Sequence, residues 1–142
     1  HHPIARYEMS AASVEAGLAI SQTRTTAIHS VSYPITTFFG VSHGHACALT
    51  LASFLRFNEP VMEEREKKEF LSVSGFSSFE EMALGIEKLM EKIGLERSLR
   101  KLGIEKEGIE VIVNHAFRPD RIGNNPRLVT AEDLTEMLRR IF

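Results

Sequence analysis

Apolar positions along this chain recur at helical spacing and nowhere alternate with a period of two for long enough to make a strand. Only Glu110 to Val113 (EVIV) has strand-like composition, and it is short. The clearest stripe is Phe79, Met82, Ala83, Ile86, Leu89, Met90 and Ile93, which predicts a helix over 78–93 opened by a Ser78/Glu81 capping box and closed at Gly94. A last helix starts at Thr130, with Asp133 in its first turn and Leu134, Met137, Leu138 and Ile141 on the buried side.

Upstream, residues 7–22 are small and apolar with few charges, which predicts a helix buried on most sides. A second helix over 25–32 is expected to stop near Tyr33, because Pro34 disfavours the helical conformation in the residue before it. A loop with Pro34 and Gly40 follows. The third helix begins near Gly44, carries Cys47, Leu51, Phe54 and Leu55 on one face, and ends at Asn58 and Pro60.

The mixed-charge run 63–69 reads as a solvated helix face or connector. Short helices are expected over 95–102, stopped by Gly103, and over 109–117, ending before Pro119; the turn Asn124-Asn125-Pro126 leads to the last helix. Residues 1–142 therefore read as a single all-α domain.

Composition narrows the function classes. The chain is 43 % hydrophobic and 25 % charged, ordinary values for a globular protein. With 17 basic and 19 acidic residues its formal charge of −2 offers no basic footprint, so neither nucleic acid nor an anionic membrane surface is expected as a partner. The longest apolar stretch, Ala46 to Leu55, is broken by Thr50 and Ser53 and is far shorter than the roughly 20 residues of a membrane span. The single cysteine, Cys47, cannot form an internal disulfide; it reads as a small core residue in a protein of the reducing cytoplasm. The chain opens His1-His2-Pro3 without methionine, as a proteolytic product or truncated gene would.

Candidate chemistry concentrates in Ala27 to Asn58, where His29, His43, His45 and Tyr33 surround one expected loop. His29 is placed in the last turn of one helix and His43 at the mouth of the next, so a loop folding back would bring two imidazoles to one point. Nitrogen and oxygen donors suit iron or zinc. Histidines 14 residues apart match no closed zinc-finger spacing, and helix-end histidines bonded to backbone remain the alternative. Gly44, after His43, would let backbone or ligand approach closely.

The block Ala16 to Asn58 (AGLAIS, AIHSVSYPIT, GVSHGHACAL, LRFN) resembles the second signature region of the iron-containing alcohol dehydrogenase family, group III. Asn124-Asn125-Pro126-Arg127, with Thr130 opening the last helix, is similar to that family's end. The resemblance implies a helical bundle of the dehydroquinate synthase-like, iron alcohol dehydrogenase C-terminal type. It implies His29 and His43 as metal ligands, Fe2+ as the ion with Zn2+ as an alternative, and NAD or NADP in the full-length enzyme. Tyr33 stands where many members carry a histidine close to substrate and nicotinamide, so it is the candidate catalytic residue; His45 is outside the ligand pattern.

The family's remaining ligands, spaced Asp-x-x-x-His, and its Gly-Gly-x-Ser nucleotide loop do not occur here in matching positions, and His1 and His2 lie too close to His29 to replace that pair. The resemblance thus implies the C-terminal metal-binding part of an NAD(P)-linked alcohol dehydrogenase or aldehyde reductase, inactive as an isolated fragment. Its expected partners are a small alcohol or aldehyde, an absent N-terminal nucleotide-binding domain, and further copies of itself in a homo-oligomer held by apolar surface. Gly17 to Thr26 (GLAISQTRTT) is similar to a branch that acts on a small phosphonate aldehyde. The competing reading is a non-catalytic helical binding or oligomerisation module derived from the same family. His115 reads as a capping or surface residue, and Arg118, Arg121 and Arg127 as solvated or pinning the last helix.

Overall fold

The computed structural model describes residues 2–142; His1, and the reading given for it, lie outside the described residues. Eight helices follow in order: α1 Pro3–Gln22, α2 Ala27–Phe39, α3 His43–Asn58, α4 Glu64–Ser74, α5 Phe79–Lys92, α6 Lys106–Ala116, α7 Pro119–Ile122 and α8 Ala131–Arg140. Single 3₁₀ turns cover Glu59–Val61 and Arg100–Leu102. No strand occurs among the described residues, and the EVIV segment lies inside α6. The all-α expectation holds.

Helix α2 packs against α3, α6 and α7, while α5 covers α3 and α8 covers α6. The core among them holds Val31, Ile35, Phe54, Leu99, Ile104, Ile112, Leu134 and Leu138, all inaccessible to solvent. Helix α8 forms as the pattern predicts: Thr130 accepts from the Asp133 N–H at 3.1 Å, the Asp133 carboxylate accepts from the Thr130 N–H at 3.0 Å, and Leu134, Met137 and Leu138 are buried. At α5 the Ser78 cap forms and Phe79, Ala83 and Met90 are buried, but Leu89 and Ile93 face solvent.

Four expectations need correction. Helix α2 does not stop at Tyr33; it runs through Pro34 to Phe39. An interior proline costs about 3 kcal/mol. Pro34 itself and Ile35 are buried and Phe39 packs against the core, burial that exists only if the helix continues and that offsets this loss. The chain turns instead at Gly40, whose φ of +69° ends the helix while its N–H donates to the Thr36 carbonyl at 3.1 Å.

Helix α1 buries no residue; Tyr7 and Met9 are 75 % and 71 % exposed. Its apolar side chains are spread around the helix, a composition that signals burial but does not say against what. Residues 95–102 form only the turn Arg100–Leu102 rather than a helix, because their backbone donors bond elsewhere: the N–H groups of Arg97 and Ser98 donate to the Glu96 carboxylate at 2.7 and 3.0 Å and that of Leu99 to the Ile141 carbonyl at 2.8 Å. Helix α3 buries Ala46, Leu49, Thr50, Ala52 and Phe54, leaving Cys47, Leu51 and Leu55 only half-buried, since α2 and α5 cover it from two sides.

Candidate metal centre

The extension of α2 through Pro34 relocates His29. It lies in the first turn of α2, not the last turn of a shorter helix, and His43 is the first residue of α3 after the short connection Gly40 to Ser42. The two helices run antiparallel, so Tyr33 comes opposite His43 and His29 opposite Cys47. Ring centroids of His29 and His43 are 5.4 Å apart. One donor atom each from His29, His43 and Cys47 lies within 4.8 Å of the other two.

The orientation of His43 follows from Ser32, which is wholly buried. A hydroxyl has one proton to give. Ser32 Oγ donates it to the His29 carbonyl at 2.8 Å and so meets His43 Nδ1, at 3.3 Å, as an acceptor. That bond places the imidazole proton on Nδ1 and leaves the Nε2 lone pair free, directed toward Cys47 Sγ at 3.8 Å. Burial, then the neighbouring charges of His43 and Arg121, hold His29 below its ordinary titration range, so it stays in the neutral, ligating form at neutral pH. Burial pushes the Cys47 thiol up, opposed by the Ser32 hydroxyl. A single divalent cation can reach all three donors with side-chain shifts of about 1 Å, so this donor set fits a metal.

Tyr33 stacks on His43 with centroids 5.7 Å apart and planes 23° from parallel. The guanidinium of Arg121 also stands 4.7 Å from the Tyr33 ring centroid and that of Arg118 5.7 Å. Arg121 lies on α7 and Arg118 immediately before it, at a junction anchored by Ser30. The buried Ser30 hydroxyl donates to the Ala116 carbonyl and accepts from the Arg118 N–H at 3.4 Å. Beside His29 and Cys47 opens a mainly apolar cleft of about 440 Å³, walled by Ile20, Thr25, Ile28, Gly44 and Leu51. A Cβ on Gly44 would meet nothing within 4 Å.

The other polar candidates resolve differently. His45 Nε2–H donates to the Glu96 carbonyl at 2.6 Å and stays out of the cluster. His115 Nδ1–H donates to the Val111 carbonyl at 2.8 Å and its ring meets Phe38, the surface role expected for it. Arg127 caps the end of α3, donating to the Phe57 carbonyl at 3.2 Å over the Phe57 ring.

The Phe-Asn and Asn-Asn-Pro motifs meet. Asn58 and Asn125 exchange side-chain amide bonds of 2.7 and 3.2 Å, and Asn124 Nδ2 donates to the Thr25 carbonyl at 3.2 Å, just before α2. These sequence motifs thus brace the helices that carry the histidines. Sequence reasoning missed Ser32 and the participation of Cys47 and of Arg118 and Arg121. The signal was present in register: Cys47 is one turn after His43, and Ser32 one turn after His29, once both helices are known to be continuous.

Comparison with known proteins is consistent along the chain. A family model described as Fe-containing alcohol dehydrogenase family, C-terminal, matches residues 2–142. The phosphonoacetaldehyde reductase of Streptomyces viridochromogenes is 42 % identical over 57 residues, 40 % of this chain and 14 % of that protein. The lactaldehyde reductase of Escherichia coli is 28 % identical over 137 residues, covering 92 % of this chain and 36 % of that protein. Among solved structures, sulfoacetaldehyde reductase from Bifidobacterium kashiwanohense in complex with NAD+ superposes with a TM-score of 0.74 at 33 % identity, over 82 % of this chain and 31 % of that one. The chain therefore spans only about a third of the length of the last two relatives.

Proposed function

Since this chain belongs to the Fe-containing alcohol dehydrogenase family, we propose that it supplies the metal-binding part of an NAD(P)-linked alcohol dehydrogenase or aldehyde reductase. The observation that carries this reading is the convergence of His29 and His43, with Ser32 turning the His43 lone pair inward. The ion is Fe2+, with Zn2+ the alternative, and the ligands spaced Asp-x-x-x-His come from a segment beyond this chain, as does the nucleotide-binding domain. When bound, the cation supplies Lewis acidity toward an alcohol or carbonyl oxygen, and NAD or NADP exchanges the hydride.

What the residues of this chain contribute is position. His29 and His43 fix the ion at the α2–α3 junction, beside the mainly apolar cleft. Tyr33 forms the pocket wall against His43, with the guanidinium groups of Arg118 and Arg121 close to its ring. Those two positive charges suit a small aldehyde with an anionic group, and two relatives named for phosphonoacetaldehyde and sulfoacetaldehyde support that substrate class. The protein is cytoplasmic in this reading and assembles with further copies through apolar surface such as that of α1. The isolated 142-residue segment is inactive, because part of its metal site and its nucleotide domain lie elsewhere.

The test is a polypeptide in which this segment follows its nucleotide-binding domain. Aldehyde-dependent oxidation of NADH or NADPH is expected there, abolished by His29→Ala or His43→Ala; unchanged turnover in either variant contradicts the assignment. Arg121→Ala is expected to lower kcat/KM for phosphonoacetaldehyde by roughly tenfold or more while sparing acetaldehyde, from the usual strength of a charge-assisted contact. Tyr33→Phe retains the stacked ring and removes the hydroxyl; a drop in kcat there would give that hydroxyl a part in proton transfer.

A further inference from the structure

The proposed metal site is described above through its histidines, yet the chain brings a third donor to the same point. We propose that Cys47 is a ligand of that site, its thiolate joining His29 and His43, so that this chain by itself takes a thiophilic divalent cation such as zinc or cobalt(II). This inference rests on the reading of His29 and His43 as ligands.

Three observations carry it. Cys47 lies one helical turn after His43 on α3, so both side chains leave the helix on one face. Its sulfur lies 3.8 Å from His43 Nε2. For tetrahedral zinc, with bonds of about 2.3 Å to sulfur and 2.0–2.1 Å to nitrogen, the nitrogen-to-sulfur edge is about 3.6 Å, so that pair already has nearly the required separation. Finally, the Ser32 bond to Nδ1 leaves Nε2, the nitrogen facing the sulfur, as the one with a free lone pair.

The chemistry is a simple exchange. The S–H bond breaks, its proton passes to solvent, and the sulfur lone pair forms the metal–sulfur bond, with no change of oxidation state. A thiolate beside two imidazoles makes a softer site than the nitrogen and oxygen donors that suit iron, and it favours zinc.

Cobalt(II) added alone to the reduced 142-residue chain provides the test. Cys47 is the only cysteine, so any thiolate-to-cobalt charge-transfer band in the near ultraviolet reports that residue. The expected result is that band together with visible ligand-field bands at one ion per chain. Cys47→Ser and Cys47→Ala, each checked for native helical content, should lose the near-ultraviolet band and weaken binding at least about tenfold, while His43→Ala loses cobalt altogether. Ligand-field bands that depend on His29 and His43, without the thiolate band, overturn the role of Cys47 and leave the histidine reading standing. Failure of the chain to bind cobalt at all overturns both.

Discussion

Replacing Ser32 with alanine separates a metal-site role from a packing role. The Ser32 hydroxyl is buried, donates to the His29 carbonyl at 2.8 Å and receives the His43 Nδ1 proton at 3.3 Å. If His43 ligates through Nε2, loss of the bond at Nδ1 frees the ring to rotate and lowers its basicity. Removing partners of this kind weakens metal binding about 10- to 100-fold, or roughly 1.4–2.7 kcal/mol. The metal-free fold should lose much less, about 0.5–1.5 kcal/mol for one hydrogen-bonding group, because the half-exposed imidazole can bond to water instead. Competition between Ser32→Ala and a chromophoric chelator for zinc reads the first quantity, and urea unfolding without metal reads the second. Zinc affinity within twofold of the parent chain, alongside the small stability loss, would refute the reasoning and leave Ser32 as a helix-packing residue.

Further expectations concern the scaffold that holds the site. Gly108→Ala on α6 would put its Cβ 2.6 Å from Ile104 Cγ2 and 3.0 Å from Phe39 Cζ, so overpacking of about 1–3 kcal/mol should exceed the helix-propensity gain of about 1 kcal/mol, giving a lower urea midpoint; a raised midpoint would contradict it. Leu138→Ala, at a fully buried position on α8, should cost about 2–5 kcal/mol in the same assay, and a change below 1 kcal/mol would mean that α8 is not seated as described. Glu96 is held below the ordinary carboxylate range, first by the N–H of Ser98 and then by that of Arg97. Its folded-state value is the depressed one, so its contribution is complete above the unfolded value of 4.5 and fades as pH falls through the folded value. Glu96→Gln should therefore be less stable than the parent at neutral pH and converge with it in acid; a gap that widens in acid has the wrong sign.

Some elements were readable from pattern and others required distant parts of the chain. Helix α8 announces itself through Thr130, Asp133 and a one-sided apolar stripe, all local features, and it forms as expected. The stretch Leu95 to Leu99 carries a similar apolar pattern but is not helical, because the Arg97 and Ser98 N–H groups are taken by the Glu96 carboxylate and that of Leu99 by Ile141, more than forty residues onward. Helix α2 fails a local rule at Pro34 because burial of Pro34, Ile35 and part of Phe39 offsets the proline penalty. That failure had consequences for the site. With a loop assumed from Tyr33 to His43, nothing set Ser32 against His43 and Cys47 passed for a core residue; with α2 and α3 both helical, the two residues fall against the histidine pair. The histidines were singled out by the resemblance, which rests on their spacing together with the Tyr-Pro and His-Gly pairs, whereas α1 shows that apolar composition alone does not identify a packing partner.

The central claim is that the rings of His29 and His43 share one cation, and nitrogen-15 NMR of the imidazoles during zinc titration tests it most directly. The account predicts that one equivalent of zinc displaces the ring-nitrogen resonances of His29 and His43 together, with Nε2 of His43 as its ligating atom, while His45 and His115, committed to the Glu96 and Val111 carbonyls, keep theirs. Resonances of His29 and His43 that stay in place at saturating zinc, or that move at different stoichiometries, would contradict it.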